Sequence, residues 1–226
     1  MVAKLDTNAM RQPGMETIQH YWSIPFYLYV KFGKWEAALA EPRPADDLIY
    51  PKAIWHYSRG MAFAAKGQLQ EARHELQELQ LAAADPALEG ITIWDINSVF
   101  SLLEIADHVL SAEIAEAEGK PGKAIELLAE AVQLEDGLNY NEPPDWFFSV
   151  RHHLGPILLE QKRYAEAEAL YKRDLEIFRK NGYALKGLYE SLVAQGKKEE
   201  AREVKKRFDE AWQWADVRLE ASKVVS

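Results

Sequence analysis

The sequence contains a short pattern that occurs five times, and its spacing constrains the fold more than any other feature. Each copy has a turn residue, usually Gly, followed five positions later by Ala. The copies begin at Gly33, Gly67, Gly119, Lys162 and Gly196. The first two are 34 residues apart, and the last two are also 34 residues apart. A period of this length is typical of helical hairpins stacked side by side, in which each hairpin contacts its neighbours.

The residues around each turn support this interpretation. A small residue lies seven positions before three of the five turns, at Gly60, Ala112 and Gly155, where two helices would approach closely. The first and last copies carry an aromatic residue at that position. After the turns, apolar residues recur at helical spacing, and residues 91–94 are the only run with the character of a strand. The sequence therefore predicts an all-α fold.

The repeat is interrupted twice. Successive copies are separated by 34, 52, 43 and 34 residues, which places insertions at about residues 82–97 and 136–145. Gly and Pro residues in both stretches oppose regular helix. Ser98 is placed to cap a helix after the first insertion, and Asp145 is placed to cap a helix after the second.

The two ends of the chain differ from the repeats. Residues 1–19 form a leader that we expect to be flexible, residues 20–221 form a single repeat domain, and residues 222–226 form a C-terminal tail. After the last copy, apolar residues continue at helical spacing to Leu219 without Gly or Pro. This pattern predicts a long C-terminal capping helix.

The composition excludes several kinds of site. There are 27 Lys and Arg against 36 Asp and Glu, a net charge of −9, which argues against a nucleic-acid-binding surface. The absence of Cys excludes disulfides, thiolate metal sites and thiol nucleophiles. No apolar stretch approaches the ~20 residues that a membrane span requires. The N-terminal residues lack the apolar run of a secretory signal, so we expect a cytoplasmic protein that binds neither nucleic acid nor membrane.

The five copies, together with Trp22, resemble the tetratricopeptide repeat (TPR) over about residues 20–215. Three stretches also resemble the C-terminal part of longer bacterial TPR-containing proteins: AIWHYSRGMAFAAKGQ, EPPDWFFSVRHHLGPILLEQKRYAEAEALYKRDLE and GLYESLVAQGKKEEA. This second likeness implies a fragment or a reduced relative of such proteins. The TPR resemblance implies a right-handed α-solenoid of about five helical hairpins. It also implies a scaffold without catalytic activity or cofactor that binds a protein or peptide.

In TPR proteins the first helices of the hairpins line a groove that binds extended peptides. Matching the repeat position by position places eleven residues of this chain on that face: His20, Tyr27, Lys31, Tyr57, Met61, Glu113, Glu116, His152, Tyr183, Lys186 and Glu190. The tyrosines would supply rigid contact area, and the charges would set the register of the peptide. The acidic net charge favours a partner of basic character. The basic clamp of chaperone-binding TPR proteins is not reproduced.

Aromatic residues crowd the first hairpin, at Tyr21, Trp22, Phe26, Tyr27, Tyr29, Phe32 and Trp35. Terminal repeats normally present a polar outer face. Three coverings are compatible with this composition: upstream repeats, a second copy of the chain, or the leader folded back. The second covering gives an alternative function, a structural protein that self-associates as a homo-oligomer through this hairpin.

A second candidate site combines aromatic rings with guanidinium groups. Trp55 and Arg59 in the second hairpin, with Trp146 and Arg151 after the second insertion, would form a pocket that binds a carboxylate. The alternative is packing between repeats, with each Arg paired to an acid.

Histidine is the only residue type that hints at a metal. No two His residues have the i, i+4 spacing of a zinc site on one helix. His56 and His108 occupy equivalent positions in adjacent units, and Glu104 lies one turn before His108. A metal or small-ligand site at these three residues is a further alternative; the competing interpretation is that both His residues replace packing aromatics.

Overall fold

The computed structural model describes residues 7–223 and is built almost entirely of helices. Residues 1–6 of the predicted leader and 224–226 of the predicted tail lie outside the described residues. Contacts divide the chain into two units, the first ending at Phe148 and the second beginning at Ser149. Within residues 7–223, no helix has both the length and the apolar character needed to cross a membrane.

The first hairpin of the first unit has a broken first helix. It consists of α1 (Thr17–Trp22) and α2 (Ile24–Lys31), followed after the turn by the short helix α3 (Trp35–Ala40). The break falls at Ser23, and Pro25 lies in the first turn of α2. Pro is tolerated there because the first N–H groups of a helix have no partner within it.

Two longer hairpins complete the repeats of the first unit. The second contains α4 (Ile49–Ala65) and α5 (Leu69–Ala83), and the third contains α6 (Val99–Ala117) and α7 (Pro121–Asp136). Within this unit α4 packs against α2 and α6 as well as against its own partner α5. The first helices of the three hairpins are therefore neighbours, as they are in a repeat array.

The second unit contains two hairpins. The fourth hairpin is formed by α8 (Arg151–Glu160) and α9 (Tyr164–Ile177), and the fifth by α10 (Gly182–Ala194) and α11 (Lys198–Trp212). The helix α11 ends at Trp212, seven residues before the predicted limit. The chain then turns back, because the Trp212 indole donates to the Val217 carbonyl at 2.8 Å and Leu219 becomes buried.

All five predicted turn residues adopt a left-handed backbone. The angle φ is 58° at Gly33, 71° at Gly67, 74° at Gly119 and 73° at Gly196. Lys162 adopts the same conformation, with φ of 58°, although it has a Cβ that opposes it. The hairpin geometry, rather than the residue type, therefore sets this turn.

The predicted close approaches are confirmed at two glycines. A Cβ on Gly60 would lie 2.5 Å from the Leu110 side chain of α6. A Cβ on Gly155 would lie 2.0 Å from the Tyr171 hydroxyl of α9, and one on Gly187 would lie 2.1 Å from the same ring. Tyr171 thus packs against the backbones of two helices, which only Gly allows at this distance.

The strand-like run of the first insertion forms one strand of a small antiparallel ribbon. The strands are β1 (Thr92–Ile93) and β2 (Asn97–Ser98), with Ile93 opposite Asn97. The Ser98 hydroxyl accepts from the Phe100 N–H at 3.2 Å, which confirms the predicted cap of α6. Asp145 in the second insertion does not cap a helix, because its carboxylate is bonded to asparagine side chains within the insertions.

Candidate functional site

The predicted groove positions of the first two hairpins are not open to solvent. His20, Tyr27, Tyr57 and Met61 are all buried. This differs from the prediction that they line an open groove. Three of them, His20, Tyr27 and Tyr57, contact residues 145–148 of the same unit, which we call the aromatic segment.

The aromatic segment contacts this face mainly through two rings. The Phe147 ring stacks on His20, with centroids 5.1 Å apart and an interplanar angle of 10°, and meets the Tyr27 ring at 5.1 Å. The Trp146 ring meets Tyr27 edge-on at 5.4 Å and lies 5.7 Å from Tyr57. Two adjacent side chains of the segment, of which Trp146 is itself buried, thus pack on the face where the groove was predicted.

A buried polar cluster lies beneath Phe147. The His20 Nδ1 and the Tyr50 hydroxyl are hydrogen-bonded at 2.8 Å, and the Tyr27 and Tyr50 hydroxyls are 3.1 Å apart. Burial lowers the pKa of His20 to about 3, so the imidazole is neutral near pH 7. Burial also raises the pKa of Asp145, whose Oδ1 lies 4.0 Å from His20 Nε2. A neutral His20 makes this pair a polar contact rather than an ion pair at neutral pH.

Asparagine side chains tie the aromatic segment to the first insertion. Asn97 donates from Nδ2 to the Asp145 carboxylate at 2.8 Å and to the Asn139 carbonyl at 2.9 Å, and its Oδ1 accepts from the Asn139 N–H at 2.8 Å. Asn139 donates to the Ile96 carbonyl at 2.9 Å, and Asn141 donates to Asp145 at 2.8 Å. We call Asn97, Asn139, Asn141 and Asp145 the asparagine clasp. It joins the two insertions, a contact that was not predicted from the sequence, where Asp145 was expected to cap a helix.

Two buried polar atoms at the contact have no hydrogen-bond partner. They are the Tyr57 hydroxyl and the Trp146 Nε1. An unsatisfied buried donor typically costs about 1–3 kcal/mol. The aromatic segment therefore packs against this face through its rings, while one hydroxyl and one indole N–H at the contact make no hydrogen bond.

The other predicted groove residues of the first unit are half-buried. Burial lowers the pKa of Lys31, whose Nζ lies 5.9 Å from the Phe32 ring centroid. Glu113 and Glu116 lie on α6 and are also half-buried. These three charged side chains are thus more accessible than the aromatic positions between them.

The predicted groove residues of the second unit include one buried histidine. His152 stacks on Tyr183 with ring centroids 5.5 Å apart, and its Nε2 lies 3.3 Å from the Asp174 carboxylate. Tyr183 is half-buried, and so are Lys186 and Glu190, which form an ion pair at 2.9 Å.

In the first unit, the residues of the predicted carboxylate pocket contact other partners. The Arg59 guanidinium lies 4.5 Å from the Trp55 ring centroid and donates to Glu75 at 2.7 Å. Trp146 instead packs against the tyrosines of the aromatic contact, and Arg151 is a buried residue of the second unit. Within the first unit, the arrangement is therefore packing between helices with the Arg paired to an acid.

The proposed metal ligands do not converge either. His56 donates from Nδ1 to Glu75 at 2.6 Å, and together with Arg59 it lowers the pKa of Glu75 although burial opposes this shift. His108 donates from Nδ1 to the Glu104 backbone carbonyl at 2.8 Å, and its Nε2 lies 3.3 Å from the Glu130 carboxylate. Among residues 7–223, no group of three His, Cys, Asp or Glu side chains is placed to hold a metal ion. His56 is instead bonded to Glu75 of the partner helix in its own hairpin.

Comparisons with solved structures identify the fold. The chain is similar to the crystal structure of the nearly identical TPR-like repeats of a Podosopora anserina putative kinesin light chain, with a TM-score of 0.50 and 17% identity over 92% of this chain and 100% of that chain. A single-residue variant of the same protein gives a TM-score of 0.51 and 17% identity, over 86% of this chain and 93% of that chain. The chain has a TPR-like repeat fold. No family model and no curated protein sequence matches it.

The first TPR-like hairpin is covered partly by the leader. Met10 is buried, and its carbonyl accepts from the Gln19 side chain of α1 at 3.0 Å. Residues 9–11 of the predicted leader thus contact α1, and Thr17–Gln19 of the leader belong to that helix. Leu28 and Phe32, four residues apart on or just after α2, remain 40% and 43% exposed.

Proposed function

We propose that this protein is a non-catalytic TPR-like scaffold that binds a segment of another protein in the groove of its first unit. The observation that supports this most is the aromatic segment itself, which lies across the first helices with Phe147 on His20 and Trp146 against Tyr27 and Tyr57. TPR-like repeats are commonly protein-interaction scaffolds whose stacked helices create an extended binding surface. In this chain the surface already holds a peptide-like occupant.

The chemistry of the occupant indicates the chemistry of the partner. An acid, Asp145, precedes two aromatic anchors that fill spaces between rings, as hot-spot residues do at protein interfaces. The aromatic segment is neither helix nor strand, and the residues before it belong to an exposed loop containing Pro143 and Pro144. Its release would therefore break ring contacts and the asparagine clasp without unwinding a helix.

The two unpaired polar atoms favour replacement of the aromatic segment by a partner segment. The Tyr57 hydroxyl is left unpaired beneath the aromatic segment, and the Trp146 indole N–H is unpaired within it. A partner segment that supplies an acceptor to Tyr57 avoids part of this penalty. We therefore propose that the groove takes an extended segment with an acid followed by two aromatic side chains. This refines the expectation of a basic partner for this face.

The test uses the chain's own segment as a separate peptide. A fluorescein-labelled peptide with the sequence of residues 141–149 is titrated with the wild-type protein and with a Trp146→Ala, Phe147→Ala double variant. We expect the double variant to bind at least tenfold more tightly, because its groove has lost the resident rings. A matched peptide with Ala in place of both aromatic residues should not bind.

Equal binding of both peptides to a folded double variant would contradict the proposal. If circular dichroism shows that the double variant is unfolded, Asn97→Ala serves instead. This substitution loosens the asparagine clasp and leaves the rings in place, so we expect it to bind the peptide more tightly than the wild type does.

Self-association through the first hairpin is a second candidate function. Its supporting observation is the exposure of Leu28 and Phe32, which lie one helical turn apart. Light scattering over a hundredfold concentration range tests it. A dimer that Leu28→Ser and Phe32→Ser convert to a monomer would support it, and a monomeric wild type would exclude it.

A further inference from the structure

An exposed tryptophan lies at the tip of the small ribbon in the first insertion. Trp94 is 59% exposed and occupies the turn between β1 and β2 with φ of 51°, followed by Asp95 with φ of 57°. Two consecutive residues with a Cβ in the left-handed region are unusual, because Gly or Asn adopts this conformation more readily. The geometry of the turn therefore gives no reason for a tryptophan at this position.

The Trp94 ring is nevertheless held in place. Its indole N–H donates to the Tyr21 hydroxyl at 2.7 Å, and the two ring centroids are 6.3 Å apart. The same ribbon is bonded to the second insertion, since Asn139 donates to the Ile96 carbonyl at 2.9 Å. The residue after Asn139 is Tyr140, which is 81% exposed. Both insertions thus contribute an exposed aromatic ring within two residues of their mutual contact.

Acidic groups accompany these rings. The exposed Asp95 follows Trp94, and the exposed Glu142 accepts a hydrogen bond from the Tyr140 hydroxyl. The whole chain has a net charge of −9. An uncharged ligand would gain nothing from this charge, whereas a cation would be attracted to it.

We propose that Tyr21, Trp94 and Tyr140, which we call the aromatic rim, bind Lys or Arg side chains of a basic protein segment. A cation placed over the face of Trp or Tyr is attracted by the ring quadrupole, and Arg does this more often than Lys. Asp95 and Glu142 add carboxylates beside the rings. The basic partner expected from the net charge is thereby assigned to this surface rather than to the groove.

The test is calorimetric titration at low ionic strength with an octapeptide of alternating Gly and Arg. The matched control peptide has citrulline, which is uncharged and of similar shape, in place of Arg. We expect wild-type protein to bind the Arg peptide at least fivefold more tightly than the citrulline peptide. Trp94→Gly should weaken binding about fivefold, which corresponds to a cation–π contact at an exposed site. It should not destabilise the fold, because Gly suits the left-handed turn.

A matched substitution separates this site from general charge attraction. Trp214 in the second unit is 89% exposed, so Trp214→Gly removes a ring that is more accessible than Trp94 and should leave binding unchanged. The proposal is overturned if wild-type protein does not bind the Arg peptide, or if Trp94→Gly and Trp214→Gly have equal effects. It is also overturned if Asp95→Asn weakens binding and Trp94→Gly does not, because the peptide would then bind through the carboxylate and not through the rings. Trp94-dependent binding of maltohexaose without binding of the Arg peptide would assign the rim to a neutral sugar instead.

Discussion

The Phe147 ring lies nearly parallel to the His20 imidazole, with centroids 5.1 Å apart and 10° between their planes. This contact joins the first helix of the first unit to the last residues of that unit. It places an aromatic side chain that follows the second insertion on a position that the repeat pattern assigns to the groove. This face of the first unit is therefore closed by a contact within the chain, and the proposed function requires that contact to open.

Acid should destabilise the protein through His20. Burial lowers the pKa of His20 to about 3 from 6.5, so the unfolded chain binds a proton at mildly acidic pH that the folded chain rejects. The contribution of neutral His20 to stability is complete above pH 6.5 and is lost as the pH falls toward 3. We expect a loss of about 2 kcal/mol in the free energy of unfolding between pH 8 and pH 5 from this residue. Urea denaturation at the two pH values measures it.

The control for this prediction is His20→Asn, which retains a polar side chain without a titrating imidazole. Its loss of stability between pH 8 and pH 5 should be smaller than that of the wild type by about the same 2 kcal/mol. Identical losses in both proteins would show that His20 is not held neutral.

The asparagine clasp should depend mainly on Asn97. Asn97→Ala removes hydrogen bonds to Asp145 and Asn139 and leaves buried polar atoms unpaired, so we expect a destabilisation of about 3 kcal/mol. Asn141→Ala removes one bond to Asp145 from a less buried position and should cost about 1 kcal/mol. Chemical denaturation compares the two variants. A smaller effect for Asn97→Ala than for Asn141→Ala would contradict this assignment.

The indole N–H of Trp146 should not stabilise the fold. Because it has no hydrogen-bond partner, Trp146→Phe loses only ring volume and should cost less than about 1.5 kcal/mol. Trp146→Ala removes the ring that packs on Tyr27 and Tyr57 and should cost about 4 kcal/mol. Equal losses for the two variants, measured by denaturation, would imply a partner for the N–H group.

Gly155 should tolerate no side chain. A Cβ at this position would meet the Tyr171 ring at 2.0–2.7 Å, so Gly155→Ala should destabilise the second unit by about 3 kcal/mol. Gly122→Ala is the matched control, because no atom lies within 4 Å of its added Cβ, and it should be neutral or slightly stabilising. Adding Tyr171→Leu to Gly155→Ala should cost less than the sum of the single changes. Additive effects in thermal unfolding would contradict the close contact.

The sequence predicts the repeats because their geometry is local. The left-handed turns at Gly67 and Lys162 follow from a fixed period, and Gly60 follows from the close approach of neighbouring helices. The end of α11 was predicted less well. Apolar residues continue at helical spacing after Trp212, but Leu219 is buried by a chain reversal, which local spacing does not encode.

The contact between the aromatic segment and His20 could not be predicted for a similar reason. Residues 136–148 do not follow the repeat pattern, and their position depends on contacts with residues distant in the sequence, such as Asn97 and His20. Asp is a common helix-capping residue, but the Asp145 carboxylate accepts hydrogen bonds from Asn97 and Asn141 instead of capping a helix. Trp146 was predicted to line a different site, because ring type alone does not specify which neighbour a ring contacts.

The most direct test of the exchangeable groove is hydrogen–deuterium exchange of residues 145–148 in the wild-type protein, with and without excess 141–149 peptide. The signal is taken from proteolytic fragments that extend beyond residue 149, which the added peptide cannot produce. We predict that the peptide increases exchange of these amides at least tenfold while α7 is unaffected. Unchanged exchange at peptide concentrations up to the solubility limit would show that residues 145–148 are a permanent part of the core.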